Sequence, residues 1–195
     1  MDNDKEIILA SKSPRRADLL KLIGLKFDVE PSNVNENEKI ELSGDLYAEY
    51  WSKEKALSLS KGHPDKLIIG ADTIVIASGE ILGKPSCKDE SERMLKILSG
   101  DTHQVVTGVT LFCKNKQIIT TFSATTEVSV MEIPKDKIIY YIDNFNTLDK
   151  AGGYGIQDWF SVWIKEIDGC YYNVMGLPIS KFYYYYSKIV KDHFL

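Results

Sequence analysis

Strand-like and helix-like segments alternate from one end of this chain to the other, with no internal repeat, low-complexity tract or long linker between them. Such alternation favours an α/β domain, because each element must bury its apolar face against a neighbouring layer. A strand over 6–10 runs into Ser13-Pro14, which read as helix N-cap and first helical residue. Leu19, Leu20, Leu22 and Ile23 follow, and Gly24 stops the helix. Further along, the patterns predict a strand at 27–29, a helix over 45–61 and a buried strand pair within 67–83. A helix over 89–98 follows, with Ser86 and Asp89 in a capping box and Gly100 at its end. Strands over 104–113 and 117–131 are joined at Lys114-Asn115-Lys116 as a hairpin. Pro134 opens a helix with Ile138, Tyr141, Ile142 and Phe145 on one face. Pro178 opens another with Ile179, Phe182, Tyr183, Tyr186 and Val190 on one face, so the tyrosine run 183–186 reads as core plus rim.

The 195 residues suit one domain, 1–195, in two lobes, and 44% hydrophobic against 27% charged side chains is the balance of a packed core with an ordinary polar surface. With 24 basic and 28 acidic residues the net charge is −4, which argues against non-specific partnership with nucleic acid or an anionic membrane. An anionic ligand must therefore meet a local cluster of positive charge. No apolar run approaches the roughly 18 residues of a membrane span, and Cys87, Cys113 and Cys170 form no C-x-x-C pair, so a cytoplasmic protein with free thiols is expected. His63, His103 and His193 without H-E-x-x-H exclude a zinc site of His and Cys. A divalent metal must be a hard one held by oxygens.

The residues that carry chemistry begin at Ser11-Lys12-Ser13-Pro14-Arg15-Arg16. Two arginines in a helix's first turn sit against its positive end, at about 0.3–1 kcal/mol each. The arrangement becomes favourable when an anion binds there, since backbone N–H groups, serine hydroxyls and guanidinium forks all donate toward it. Phosphate is the natural guest. In Leu67-Ile68-Ile69-Gly70-Ala71-Asp72-Thr73-Ile74 a single carboxylate interrupts an apolar strand, and a buried Asp needs a metal, a lysine or backbone amides as partner. Tyr47, Trp51, Lys55 and Leu59 recur every fourth residue, so Lys55 lies in an apolar row. It either snorkels at the rim or aims inward, beside Asp72 or a phosphate. Lys84 occupies the rigid turn Leu82-Gly83-Lys84-Pro85, and Glu36 a polar stretch after the 27–29 strand. Lys150-Ala151-Gly152-Gly153-Tyr154-Gly155-Ile156-Gln157 reads as a substrate-closing loop or a plain turn, and its spacing fits neither Walker A nor G-x-G-x-x-G.

These segments, in this order, resemble the Maf family of nucleotide pyrophosphatases. The likeness runs from Leu9-Ala10-Ser11-x-Ser13-Pro14-Arg15-Arg16 through Glu36, Glu54-Lys55-Ala56, Gly70-Ala71-Asp72-Thr73, Leu82-Gly83-Lys84-Pro85, Leu98-Ser99-Gly100 and His103-Gln104-Val105. It ends with Lys150-Ala151-Gly152-x-Tyr154-Gly155-Ile156-Gln157 and Val174-x-Gly176-Leu177-Pro178, covering nearly the whole chain. The resemblance implies an elongated mixed sheet in two lobes with a central cleft, the inosine-triphosphate-pyrophosphatase type of fold, and often a homodimer. It implies hydrolysis of a nucleoside triphosphate to the monophosphate and diphosphate with Mg²⁺ or Mn²⁺, a house-cleaning role. By position it makes Ser11, Ser13, Arg16, Glu36, Lys55, Asp72 and Lys84 the catalytic constellation, with Asp72 the usual proton acceptor. Arg15, Thr73 and Gln157 resemble the dTTP/UTP branch, where the 7-methyl-GTP branch typically has Trp, Gln and Glu. Pyrimidine substrates, canonical or modified, are therefore expected. Asn35 and Asp158-Trp159-Phe160 depart from the family pattern.

The chemistry is consistent with that expectation. Attack on the α-phosphorus needs the triphosphate charge offset by Arg15, Arg16, Lys55, Lys84 and metal. Asp72 and Glu36 are the candidates for metal ligand and base, and Thr73 and Gln157 for the base edge of the nucleotide. The competing reading is a nucleotide-binding regulator of growth or division without significant hydrolysis. A Ser-His-Asp hydrolase lacks a G-x-S-x-G elbow, and DNA binding through Arg15-Arg16 conflicts with the net charge.

Overall fold

The computed structural model describes residues 6–35 and 40–194. Its elements in chain order are β1 (Ile7–Leu9), α1 (Pro14–Leu22), β2 (Asp28–Val29), α2 (Gly44–Leu59), β3 (Leu67–Ala77), β4 (Glu80–Leu82) and α3 (Lys88–Leu98). There follow β5 (Thr102–Cys113), β6 (Ile118–Val130), α4 (Lys135–Asn144), β7 (Ile164–Asp168), α5 (Tyr171–Val174) and α6 (Ile179–His193). The strands form one mixed seven-stranded sheet in the order β2-β1-β3-β5-β6-β7, with β4 paired to β3. β1 runs parallel to both β2 and β3, whereas β4 returns antiparallel to β3 and β7 antiparallel to β6. The expected mixed α/β class is observed.

Two compact units divide the chain. One comprises Met1–Asp72, Thr107–Ala124 and Gly176–Leu195; the other comprises Thr73–Val106 and Thr125–Met175. In the first, α2 lies against β3 and β5 at two glycines. A Cβ on Gly70 would fall 2.0 Å from the Ser52 carbonyl oxygen, and one on Gly108 would fall 2.3 Å from the Ala48 carbonyl oxygen, so only glycine admits the helix backbone here. Ala48, Ser52 and Ala56, spaced by four, form the face that fits against them, and all three are fully buried. The second unit has its own apolar core, in which Leu95 and Leu98 of α3, Val128 and Val130 of β6 and Ile138 and Tyr141 of α4 pack together with Phe160. Among the described residues no helix is long and apolar enough to cross a membrane.

Two local expectations are corrected. Ser86 and Asp89 do not make a capping box: Cys87 is the N-cap of α3 with no side-chain bond. The Glu90 carboxylate instead accepts from the Ser86 backbone N–H at 2.6 Å and from its hydroxyl at 2.7 Å. On α6 the expected face is observed except at Tyr183: Phe182 is buried and Ile179, Tyr186 and Val190 are half-buried, joined by buried Ile189 and half-buried Tyr185. Tyr183 and Tyr184 are exposed, so the core takes Tyr185 and the Tyr185 ring stacks on Phe122 at 4.5 Å. Ser13 is the N-cap of α1 and Pro14 its first residue, as expected, although the Ser13 side chain makes no capping bond.

Candidate active site

β1 ends at Leu9, and the Ala10 N–H still donates to the Ile69 carbonyl at 2.8 Å. The parallel register pairs Ile7 with Leu67, Ile8 with Ile68 and Leu9 with Ile69. Continuing that offset by two residues sets Ser11 level with Ala71, one position from Asp72. Ligands of open α/β sheets gather beyond the carboxyl ends of such parallel strands.

Ser11 is buried, and its hydroxyl oxygen accepts from the Ser13 backbone N–H at 3.2 Å and from Arg16 Nη1 at 3.1 Å. The Arg16 guanidinium, buried at the start of α1, also donates through Nε to the Gly176 carbonyl at 2.9 Å. The fork thereby ties the β1–α1 turn to the segment that leads into α6. Arg15 is half-buried beside it. The first helical turn of α1 holds no acidic residue, so its positive end is left for an anion.

Of the two alternatives for Lys55, the structure shows the inward one. Its ammonium lies 2.6 Å from Asp72 Oδ1, with Lys55 only 9% and Asp72 only 5% exposed. The helix face sets this up, since α2 is brought close over Gly70 and Asp72 shares a face of β3 with that glycine two residues earlier. Asp72 Oδ2 is buried and makes no hydrogen bond among the described residues. A buried carboxylate oxygen without a donor is costly unless a cation or a proton-bearing ligand completes it. The donor set suits Mg²⁺ or Mn²⁺, which are held by one or two carboxylates together with substrate phosphates. Among the described residues no three of His, Cys, Asp and Glu converge on one point. Glu36, the second predicted carboxylate, lies outside the described residues.

The second unit carries the other predicted residues. Thr73 is half-buried on β3, where strand alternation turns it to the face opposite Asp72. Lys84 is exposed in the turn after β4, while Pro85 beside it is buried. The Gly152 N–H donates to the Gly83 carbonyl at 3.0 Å, so the Lys84 turn and the glycine loop are joined. Gly152 and Gly153 have φ of +68° and +75°, a left-handed pair that non-glycine residues avoid. Residues 152–156 are buried and Gln157 is exposed.

Sequence reasoning gave no role to the polar groups beneath that loop. His103 is 2% exposed, and its Nε2 and the Tyr154 hydroxyl are 2.7 Å apart. Burial lowers the His103 pKa to about 4, so the ring is neutral, and burial pushes the Tyr154 phenol up. The Tyr141 hydroxyl donates to the Asp158 carboxylate at 2.9 and 3.0 Å and accepts from the Gly155 N–H at 3.1 Å. Alternation alone could have found His103, which stands two residues before Val105 on the buried face of β5. Nothing in the sequence pairs it with Tyr154.

A mixed α/β fold with a buried lysine–aspartate pair near a cation-rich helix start defines a protein equipped for an anionic ligand. Comparison with known proteins narrows that class: the Maf-like protein family model matches residues 6–189, and the chain belongs to the Maf family. A "dTTP/UTP pyrophosphatase" of Thermosipho africanus is 49% identical over 176 residues, covering 90% of this chain and 89% of that protein. Proteins of the same description from Koribacter versatilis, at 44% with 91% of each chain covered, and Bacillus pumilus, at 43% with 90% and 92% covered, are similar as well. A Ham1 protein structure from Staphylococcus aureus is 16% identical with a TM-score of 0.42, over 65% of this chain and 71% of that one.

Proposed function

We propose that this protein hydrolyses dTTP and UTP to the nucleoside monophosphate and pyrophosphate, a house-cleaning activity that needs Mg²⁺ or Mn²⁺. The observation that carries this reading is the buried Asp72, with Lys55 on one oxygen and, among the described residues, no hydrogen bond to the other. The substrate comes from the relatives' description over nine-tenths of the chain. A protein that only bound a polyanion would gain little from a buried carboxylate with a bare oxygen.

In this reading the N–H groups at the start of α1, with Arg15, Arg16, Ser11 and Ser13, receive phosphate oxygens, and the family resemblance assigns Lys84 as a further cation for the substrate. Arg16 is held in place by Gly176 and Ser11, so little side-chain freedom is lost when an anion arrives. Asp72 Oδ2 serves the attacking water as its proton acceptor, and Lys55 fixes the carboxylate's orientation. Asp72 and, by the family resemblance, Glu36 would hold the divalent metal, which offsets phosphate charge and lowers the pKa of bound water. Thr73 and Gln157 are assigned to the base edge, where hydrogen-bonding groups reject a mismatched base more strongly than shape alone.

Incubation with a panel of nucleoside triphosphates and Mg²⁺, with pyrophosphate and orthophosphate assayed separately, tests the proposal. Pyrophosphate from dTTP and UTP ahead of purine nucleotides is expected, with Asp72→Asn nearly inactive. Orthophosphate as the sole product would place cleavage at the wrong anhydride. Binding without turnover in wild type and variant alike would favour the regulator.

A further inference from the structure

Along 152–158 the chain is fastened at successive points within its own unit. The Gly152 N–H donates to the Gly83 carbonyl, the Tyr154 hydroxyl bonds His103, the Gly155 N–H donates to Tyr141, and Asp158 accepts from Tyr141 and from the Phe160 N–H at 3.1 Å. Gly155 is closed in as well, since a Cβ there would stand 2.5 Å from Asp158 Oδ2. The side chain that emerges from this fastened stretch into solvent is Gln157, between buried Ile156 and half-buried Asp158.

His103 is the least expected member. Burying an imidazole has a cost that a leucine at the same place would avoid. Among the described residues its Nδ1 has no hydrogen-bond partner, and Tyr154 is the one polar group bonded to the ring. The two rings also meet edge to face with centroids 5.3 Å apart, and Tyr154 rests on Phe160 at 4.6 Å, which fixes the phenol's direction. The bond therefore joins the start of β5 to the middle of the loop. Tyr154 is followed by the only three residues between its anchor and the Asp158 anchor, and Gln157 is one of them.

We infer that His103, acting through Tyr154, is a positioning residue for Gln157, and that the loop recognises the pyrimidine edge as a preset surface. The assignment of Gln157 to the base edge rests on the function proposed above. A glutamine on a slack loop must lose backbone freedom each time it binds, whereas one on a fastened loop does not. Asp158, where this chain departs from its family's pattern, supplies the fastening at the far end through Tyr141.

The test uses the full chain as wild type, His103→Leu, Tyr154→Phe, the double variant and His103→Gln, which can still bond the phenol. Pyrophosphate release is measured on dTTP and dCTP, and amide hydrogen exchange over 152–158 without nucleotide. His103→Leu and Tyr154→Phe should each raise KM for dTTP about tenfold with a much smaller fall in kcat, and lower the preference for dTTP over dCTP in proportion. The double variant should be no worse than either single one, and His103→Gln should recover most of the loss. Loop amides should exchange faster in both single variants while those of β6 stay protected. An equal fall in kcat for both nucleotides with the preference intact would reduce His103 to a packing residue and overturn the inference. So would unchanged exchange over 152–158, which decides the matter even if His103→Leu folds poorly, because Tyr154→Phe is milder. If wild type releases no pyrophosphate from any nucleotide, the proposed function fails, and the exchange experiment alone decides whether His103 holds the loop.

Discussion

Burying Lys55 against Asp72 takes two charges out of water, and the 2.6 Å contact repays that loss only while both partners are present. Asp72→Asn should therefore destabilise the fold by about 3–5 kcal/mol in urea titration, as the buried ammonium loses the carboxylate that balances its charge. It should also lower pyrophosphate release about 10³-fold. Pairing Asp72→Asn with Lys55→Met should restore most of the stability and none of the activity, separating the two roles. His103 makes a second prediction at this scale. Its pKa of about 4 in the fold lies below the 6.5 of an exposed histidine, with Tyr154 facing it and Asp101 opposing the shift. Between those values the unfolded chain binds the proton and the native one does not, so stability is retained above pH 6.5 and lost as pH falls toward 4. The loss amounts to about 3 kcal/mol. Urea midpoints measured from pH 7 to pH 4 should fall less steeply for His103→Gln than for wild type.

At the scale of elements, α2 can present Lys55 because glycines at 70 and 108 let its backbone approach β3 and β5. Gly70→Ala would place a methyl 2.0 Å from the Ser52 oxygen and 2.9 Å from the Ala56 nitrogen, both backbone atoms that cannot step aside. The helix must lift, at a cost of about 3 kcal/mol, and Lys55 must lose its bond to Asp72. Thermal denaturation and pyrophosphate release should fall together in Gly70→Ala; a variant that unfolds more easily but keeps full activity would contradict this coupling. The helix starts were only partly legible. Pro14 at the head of α1 was foreseen from φ alone, whereas the Ser86–Glu90 contact competes with a capping box of the same residue types and prevails through geometry. On α6 only Tyr183 departs from the expected face, because four successive tyrosines offer the same apolarity in every direction, and Phe122 stacks on Tyr185 instead.

For the molecule as a whole, an acidic chain of net charge −4 must gather its cations locally to accept a polyphosphate. Removal of divalent metal by a chelator should abolish pyrophosphate release while leaving the unfolding temperature within a few degrees, because Asp72 keeps Lys55 as a partner without it. Readdition of Mg²⁺ or Mn²⁺ should restore turnover, and Mg²⁺ with a non-hydrolysable nucleotide should raise the unfolding temperature. Local chemistry along the chain determined the α/β class, most helix and strand positions, the arginine pair at the start of α1 and the presence of a buried carboxylate at 72. Each follows from spacing and side-chain type over a few neighbouring residues. Tertiary structure alone decided that Lys55 turns inward, that Arg16 is held by Gly176 from 160 positions away, and that His103 serves Tyr154. Those contacts join residues remote in the chain, so they depend on which backbones approach closely enough, a property of the packed whole that no local pattern carries.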